Sequence, residues 1–290
     1  MTNAADASPD HNADQIAFWD GPGGAVWTER QDTQDHVLAP VNAVAFAAAH
    51  VSAGERVIDI GCGCGDTTIA LAGQVGPSGH VLGLDVSNQM LQRARERAPK
   101  GAPLEFVRAD ATVYPFGAGQ SDLLFSRFGV MFFADPTVSF GNMRKGLKAG
   151  GRVVFACWRE PKLNPWAMVP LQAVYKHVPR LPDMGPEDPG PFAFAREERV
   201  RRILTAAGFS AIHMQPHDLV FDVAVGRGMD AAVQSSLDIG PAMRALKDQP
   251  DAIKTAAIGS IREALAPFVK GQSVELAAAI WIVTARNGGE

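Results

Sequence analysis

Three carboxylates, Asp59, Asp85 and Asp110, recur at near-equal spacing, and each closes a short apolar run. The first lies in the most chemically informative stretch of the chain, Val57-Ile58-Asp59-Ile60-Gly61-Cys62-Gly63-Cys64-Gly65-Asp66, which runs into the helix-like Thr67-Thr68-Ile69-Ala70-Leu71-Ala72. An apolar strand, a turn with glycine at every second position and a helix N-terminus let a nucleotide-sized ligand lie against bare backbone. A dinucleotide-binding turn has the pattern G-x-G-x-x-G; here the sixth position is Asp66. With Asp59 two residues ahead of Gly61, negative charge flanks the turn on both sides. That arrangement would repel a diphosphate and suits a ligand carrying an ammonium or a sulfonium. The turn therefore points to S-adenosylmethionine rather than NAD.

The second carboxylate ends the run Gly79-His80-Val81-Leu82-Gly83-Leu84-Asp85, after which Val86-Ser87-Asn88-Gln89-Met90-Leu91 opens a helix. Ser87 suits an N-cap, and Met90 and Leu91 begin the apolar face. An acid at the end of the second strand of a βαβ unit is placed to accept from both ribose hydroxyls. The third follows Leu104-Glu105-Phe106-Val107-Arg108-Ala109, where Asp110, next to Ala111, would face an adenine edge. A single glycine turn often serves only to let a helix pack on a strand. Three strand-end acids in succession are far more specific.

The chain resembles the class I S-adenosylmethionine-dependent methyltransferases, particularly the bacterial small-molecule group with ubiquinone/menaquinone-type methyltransferase domains. Asp59–Gly65, Gly83–Val86, Arg108–Ala111, Phe125–Pro136 and Leu147–Phe155 carry the likeness, which covers about residues 14–158 well. The resemblance implies S-adenosylmethionine as cofactor and S-adenosylhomocysteine as product. It puts Asp59, Gly61 and Gly63 near the methionine moiety, Asp85 at the ribose, and Asp110 with Ala111 at the adenine. Ser126 and Arg127 would face the sulfonium side, and Trp27, Cys62, Val86 and Met90 complete the candidate cofactor-binding set. One departure matters. Quinone C-methylating members carry an Arg-Asn pair after the fourth-strand glycine, whereas Val130-Met131-Phe132 follows Gly129 here. Methylation of an O or N atom on an apolar or aromatic small molecule is the expectation, with C-methylation or non-methyl chemistry (a cyclase or lyase on the same scaffold) as alternatives.

Strands alternate with helical patterns through Trp158, which predicts a doubly wound α/β sheet. The family likeness extends this to a seven-stranded Rossmann-like sheet with a C-terminal antiparallel hairpin. The domain expectation is a disordered tail over 1–13, N-terminal lid helices over 14–50, and a methyltransferase domain over 51–290. Insertions at about 159–195 and 226–271 would add to a mainly helical lid, since inserts of that length in a compact domain are usually functional or disordered. Trp19, Phe128, Phe132, Trp158 and Trp166 are candidate substrate contacts, although any one of them also suits plain packing. No catalytic base stands out; His36, His177 and Arg127 are weak candidates.

At 290 residues with 20% charged side chains and a net charge of −4, nothing suggests a polyanion partner such as nucleic acid. No apolar run reaches membrane-spanning length. Cys62 and Cys64 are too close to bridge each other, and with Cys157 they lack the partners of a metal site, so three reduced thiols in a cytoplasmic protein are expected. A monomer or a homodimer fits equally.

Overall fold

The computed structural model describes residues 12–182, 185, 187–238 and 240–288. Most of the expected tail, residues 1–11, lies outside that range. The chain enters through two short helices, α1 (Ala13–Trp19) and α2 (Pro22–Glu29), and a long one, α3 (Gln31–Ala49). The apolar runs then form β1 (Arg56–Ile60), β2 (His80–Asp85), β3 (Leu104–Arg108), β4 (Ser121–Arg127) and β5 (Leu147–Trp158), with α4 (Asp66–Val75), α5 (Asn88–Arg97) and α6 (Pro136–Arg144) between them. Local chemistry starts these helices. Ser87 Oγ accepts from the Met90 N–H at 3.4 Å to begin α5, and Asp135 accepts from the Val138 N–H at 3.0 Å, with Pro136 in the first turn of α6. The β3–β4 connection has no helix; the Asn142 side chain ties its turn down through the Ala111 and Tyr114 carbonyls.

Beyond β5 come α7 (Pro165–Val174), α8 (Glu197–Ala206) and β6 (Phe209–Asp222), then α9 (Gly228–Asp238), α10 (Pro241–Leu246) and α11 (Asp251–Leu265). The chain finishes with the two-residue β7 (Val269–Lys270) and the long β8 (Ser273–Asn287). The main sheet runs in the order β3-β2-β1-β4-β5-β8-β6, with β7 paired to the start of β8. The first five strands are parallel, and β8 runs antiparallel to both β5 and β6. This is the expected Rossmann-like architecture with its antiparallel end. The C-terminal hairpin is interrupted by the three helices α9 to α11.

Two expected segments show further packing. α3, expected among the lid helices, is anchored on the sheet: Val41, Ala45 and Ala49 are fully buried, and Phe46 stacks on Phe125 of β4 at 5.5 Å. It packs against β4, β5, β6 and β8, so the chain enters through the sheet's own core. Asn12 and Ala13, assigned to the tail, are ordered, and Asn12 is buried through hydrogen bonds to distant loops. Because the parallel strands share one direction, Asp59, Asp85, Asp110, Arg127 and Trp158 all emerge at or just beyond the same carboxyl edge, where open α/β sheets bind ligands.

Candidate active site

The glycine turn is held by close backbone packing. Gly61 has φ +67°, and a Cβ on it would stand 2.7 Å from Gly129 Cα. Gly65, at φ +84° before α4, would collide with Ala94 at 2.8 Å. Side chains are excluded at both, which explains the alternation of glycine. Gly63 differs: the nearest atoms to its absent Cβ are Met90 Sδ at 3.9 Å and Trp27 Nε1 at 4.0 Å. Gly63, Met90 and Trp27 thus meet around bare backbone. The Cys62 side chain is buried with Leu91, Ala94 and Phe106, so the part of this residue left to a ligand is its backbone. Burial pushes the Cys62 thiol well above its usual range and Cys64 up to about 11, so neither is a thiolate near neutrality.

Two of the strand-end carboxylates, Asp59 and Asp85, sit in an environment that opposes their charge. Asp59 is fully buried; its Oδ2 accepts from Thr67 Oγ1 and Thr68 Oγ1, each at 2.7 Å. Burial outweighs these bonds and pushes the carboxyl up to about 6. Among the described residues Asp59 Oδ1 has no hydrogen-bond partner. Asp85 accepts from the Gly63 N–H at 2.8 Å and the Ser87 N–H at 2.9 Å, and burial still raises its pKa. Val86 follows directly, with its carbonyl accepting from Arg108 at 3.1 Å. Asp110 takes the Thr112 N–H at 2.8 Å and the Asn12 side chain, while Ala111 beside it is 5% exposed. A buried acceptor without a donor and two carboxyls raised by desolvation fit a cationic, adenosine-like ligand better than a diphosphate.

Arg127 does not add a free cation. It donates to Asp66 at 2.8 Å and to Asn42 of α3 at 2.9 Å, with 9% of its side chain exposed. Ser126 is turned inward: Oγ donates to the Ile60 carbonyl at 2.7 Å and accepts from the Gly129 N–H at 3.2 Å, clamping the β1 and β4 loops together. His36 lies exposed on α3, 2.6 Å from the Asp32 carbonyl, and His177 pairs with Ser260 of α11 at 2.8 Å. None of the described histidines hydrogen-bonds to the strand-end carboxylates; His36 and His177 are engaged by Asp32 and Ser260 instead. A separate recess of about 220 Å³, lined by Arg56, His80, Glu105 and Ser121, lies at the opposite edge of the sheet and shares none of these carboxylates.

The candidate substrate aromatics form two neighbouring groups. Trp19 packs edge-on against Phe132 at 5.1 Å and Trp27 at 6.1 Å. Phe128 stacks on Trp158 at 4.1 Å, and Trp158 leans on Trp166 at 4.8 Å. Phe221 of β6 closes the second group at 5.9 Å from Trp158; it was missed because nothing local in its strand marks it. Phe128 holds φ +68°, a left-handed conformation costly for an aromatic residue. Its stacking and the Phe128 N–H bond to the Ala156 carbonyl at 3.1 Å hold it there.

Residues 57–151, which contain the glycine turn and all three carboxylates, match the family model described as "Methyltransferase domain". The chain carries a class I methyltransferase domain. That methyltransferase domain is 36% identical over 104 residues to a demethylmenaquinone methyltransferase of Staphylococcus carnosus, across 36% of this chain and 43% of the relative. The chain thus spans less than half the length of the curated relatives it matches. By fold it is similar to phosphoethanolamine N-methyltransferase 2 of Haemonchus contortus in complex with S-adenosyl-L-methionine, with TM-score 0.58, 16% identity, and coverage of 94% of this chain and 60% of that one. The [4+2]-cyclase SpnF shares the fold at TM-score 0.53 and 16% identity, over 86% of this chain and 82% of that chain.

Proposed function

We propose that this protein is an S-adenosylmethionine-dependent methyltransferase acting on O or N of an apolar or aromatic small molecule. The observation that carries the reading is the row of Asp59, Asp85 and Asp110 along one carboxyl edge of the sheet, with Asp85 bonded to the Gly63 N–H of the glycine turn and Asp59 Oδ1 without a donor among the described residues. Asp59 and the bare backbone at Gly63 would hold the methionine end, Asp85 the ribose and Asp110 with Ala111 the adenine. When bound, the cofactor supplies an activated methyl group on a sulfonium. The chain's own residues orient and enclose. α1 and α2 lie over the carboxyl edge, tied by the Asn88 N–H to Asp20 at 2.7 Å and by Gln89 to the Gly21 carbonyl at 2.8 Å. The aromatic groups exclude water and offer faces to an apolar acceptor and to positive charge. With no histidine among the described residues bonded to the strand-end carboxylates, rate enhancement would come mainly from alignment and desolvation. The alternative of non-methyl chemistry gains support from the shared fold of a cyclase. Calorimetric binding of S-adenosylmethionine against NAD tests the first step, and preference for NAD overturns it. Release of S-adenosylhomocysteine on adding hydrophobic phenols or amines separates methyl transfer from the alternative.

A further inference from the structure

Asn12 occupies the N-cap of α1, where an asparagine ordinarily turns its oxygen back to its own helix. Here the side chain makes no capping bond. Its carboxamide, in a residue 8% exposed, reaches across the fold instead. Nδ2 donates to both oxygens of Asp110, at 3.1 and 2.9 Å, and to Thr112 Oγ1 at 2.9 Å. Oδ1 accepts from the Ala134 N–H at 2.9 Å. Thr112 Oγ1 is in turn 2.8 Å from Ser139 Oγ of α6. One side chain therefore bridges the loops after β3 and β4, and it does so while forgoing a cap worth about 1 kcal/mol.

The bonding on Asp110 is directional. An ionised carboxylate offers about four acceptor sites. The two hydrogens of the Asn12 amide are shared among Thr112 Oγ1 and both carboxylate oxygens, and the Thr112 N–H takes a further site on Oδ1, which leaves Oδ2 the less occupied oxygen. Next to it, the N–H of the buried Ala111 donates to nothing among the described residues. An unused acceptor beside an unused donor is complementary to an amine next to a ring nitrogen, the edge that adenine presents. With Asn12 removed, Asp110 would lose the amide that spans its two oxygens and helps set where its remaining acceptor points.

We propose that Asn12 is a positioning residue for recognition of the adenine amine: it fixes Asp110, so the N-terminal segment takes part in reading the cofactor's base. The proposal rests on the cofactor reading above. It is tested by titrating the full chain, Asn12→Ala and Asn12→Asp with S-adenosylhomocysteine and with S-inosylhomocysteine, in which a carbonyl replaces the amine. Asn12→Asp keeps the shape and the accepting oxygen but replaces the N–H donors with a second carboxylate against Asp110, and melting curves verify that each variant is folded. Both variants should bind S-adenosylhomocysteine about tenfold more weakly, the worth of a hydrogen bond to a charged acceptor. Affinity for S-inosylhomocysteine should stay within about twofold, so discrimination between the ligands collapses. Equal losses for both ligands, or no loss for either, overturn the proposal and leave Asn12 as a packing residue. Failure of the unaltered chain to bind either ligand overturns the cofactor reading itself and the proposal with it.

Discussion

Asp59, Asp85 and Asp35 are each held above the ordinary carboxylate range chiefly by burial. For Asp59, at about 6 in the folded chain against 3.8 for its ordinary value, the sign of the pH effect follows directly. The folded protein retains a proton that the unfolded chain has released, so this contribution to stability is complete below the ordinary value and is lost as pH rises through about 6. A cationic ligand favours the ionised form and reverses that cost. Affinity for S-adenosylmethionine should therefore rise between about pH 5 and 7 and then level off, and Asp59→Asn should remove the slope. Calorimetry across that range checks it; a flat profile in the unaltered chain would count against Asp59 as the ammonium partner. Asp85→Ala removes a charged acceptor and should weaken binding by about an order of magnitude or more. Arg127 offers the opposite lesson. Its strand-end position suggested a residue facing the sulfonium side, and Asp66 and Asn42 already hold its guanidinium, so its positive charge is paired within the protein.

Between elements, the N-terminal helices and the C-terminal insertion are tied to each other as well as to the sheet. Arg30, which follows α2, meets Asp238 at the end of α9 at 2.7 Å, and Arg227 donates to Thr33 of α3 at 2.8 Å. Asp238 has only 12% of its side chain exposed, so this pair is better shielded than an ordinary surface bridge. Asp238→Ala should loosen α2 and α9 together, read as faster amide hydrogen exchange in both helices, while exchange in β1 and β4 stays unchanged. Protection that remains equal in all four elements would show that the tie carries no closing force. The histidines belong to this scale too. His36 sits on the outer face of α3 and His177 between the end of α7 and α11, so alanine at either should leave turnover measurable. Complete loss of turnover with cofactor affinity retained would identify a base that this arrangement does not foresee.

Across the whole molecule, one aromatic cluster joins the parallel half of the sheet to its antiparallel end. Phe140 of α6 is fully buried and touches Phe133, Phe155, Phe194 and Phe209, from the loop after β4, from β5, from the segment before α8 and from β6. Phe140→Ala should cost about 3–5 kcal/mol in denaturant unfolding, because so many fixed neighbours prevent collapse of the cavity. A cost under about 1 kcal/mol would mean that the parallel half and the antiparallel end are not one cooperative core. Among the described residues no helix is long and apolar enough to cross a membrane. The charge that matters is concentrated instead at the carboxyl edge of the sheet.

The strand-end acids, the alternating glycines and the caps at Ser87 and Asp135 are legible in the sequence because each is a local event. A strand must end, a turn must take φ above zero, and a helix N-terminus must satisfy its own donors. The parallel order follows from those same short repeats. What lay beyond such reading depends on residues far apart in the chain. Asn12 looked like part of a polar tail because its partners stand about 100 positions away. Phe221 joins Trp158 only once β6 has paired with β8, and α3 resembles a lid helix until its apolar face meets four strands. Local spacing determined which ligand chemistry the β1 turn suits; tertiary packing alone decided which side chains remain free to meet it, since burial and long-range hydrogen bonds exist only after the elements have come together.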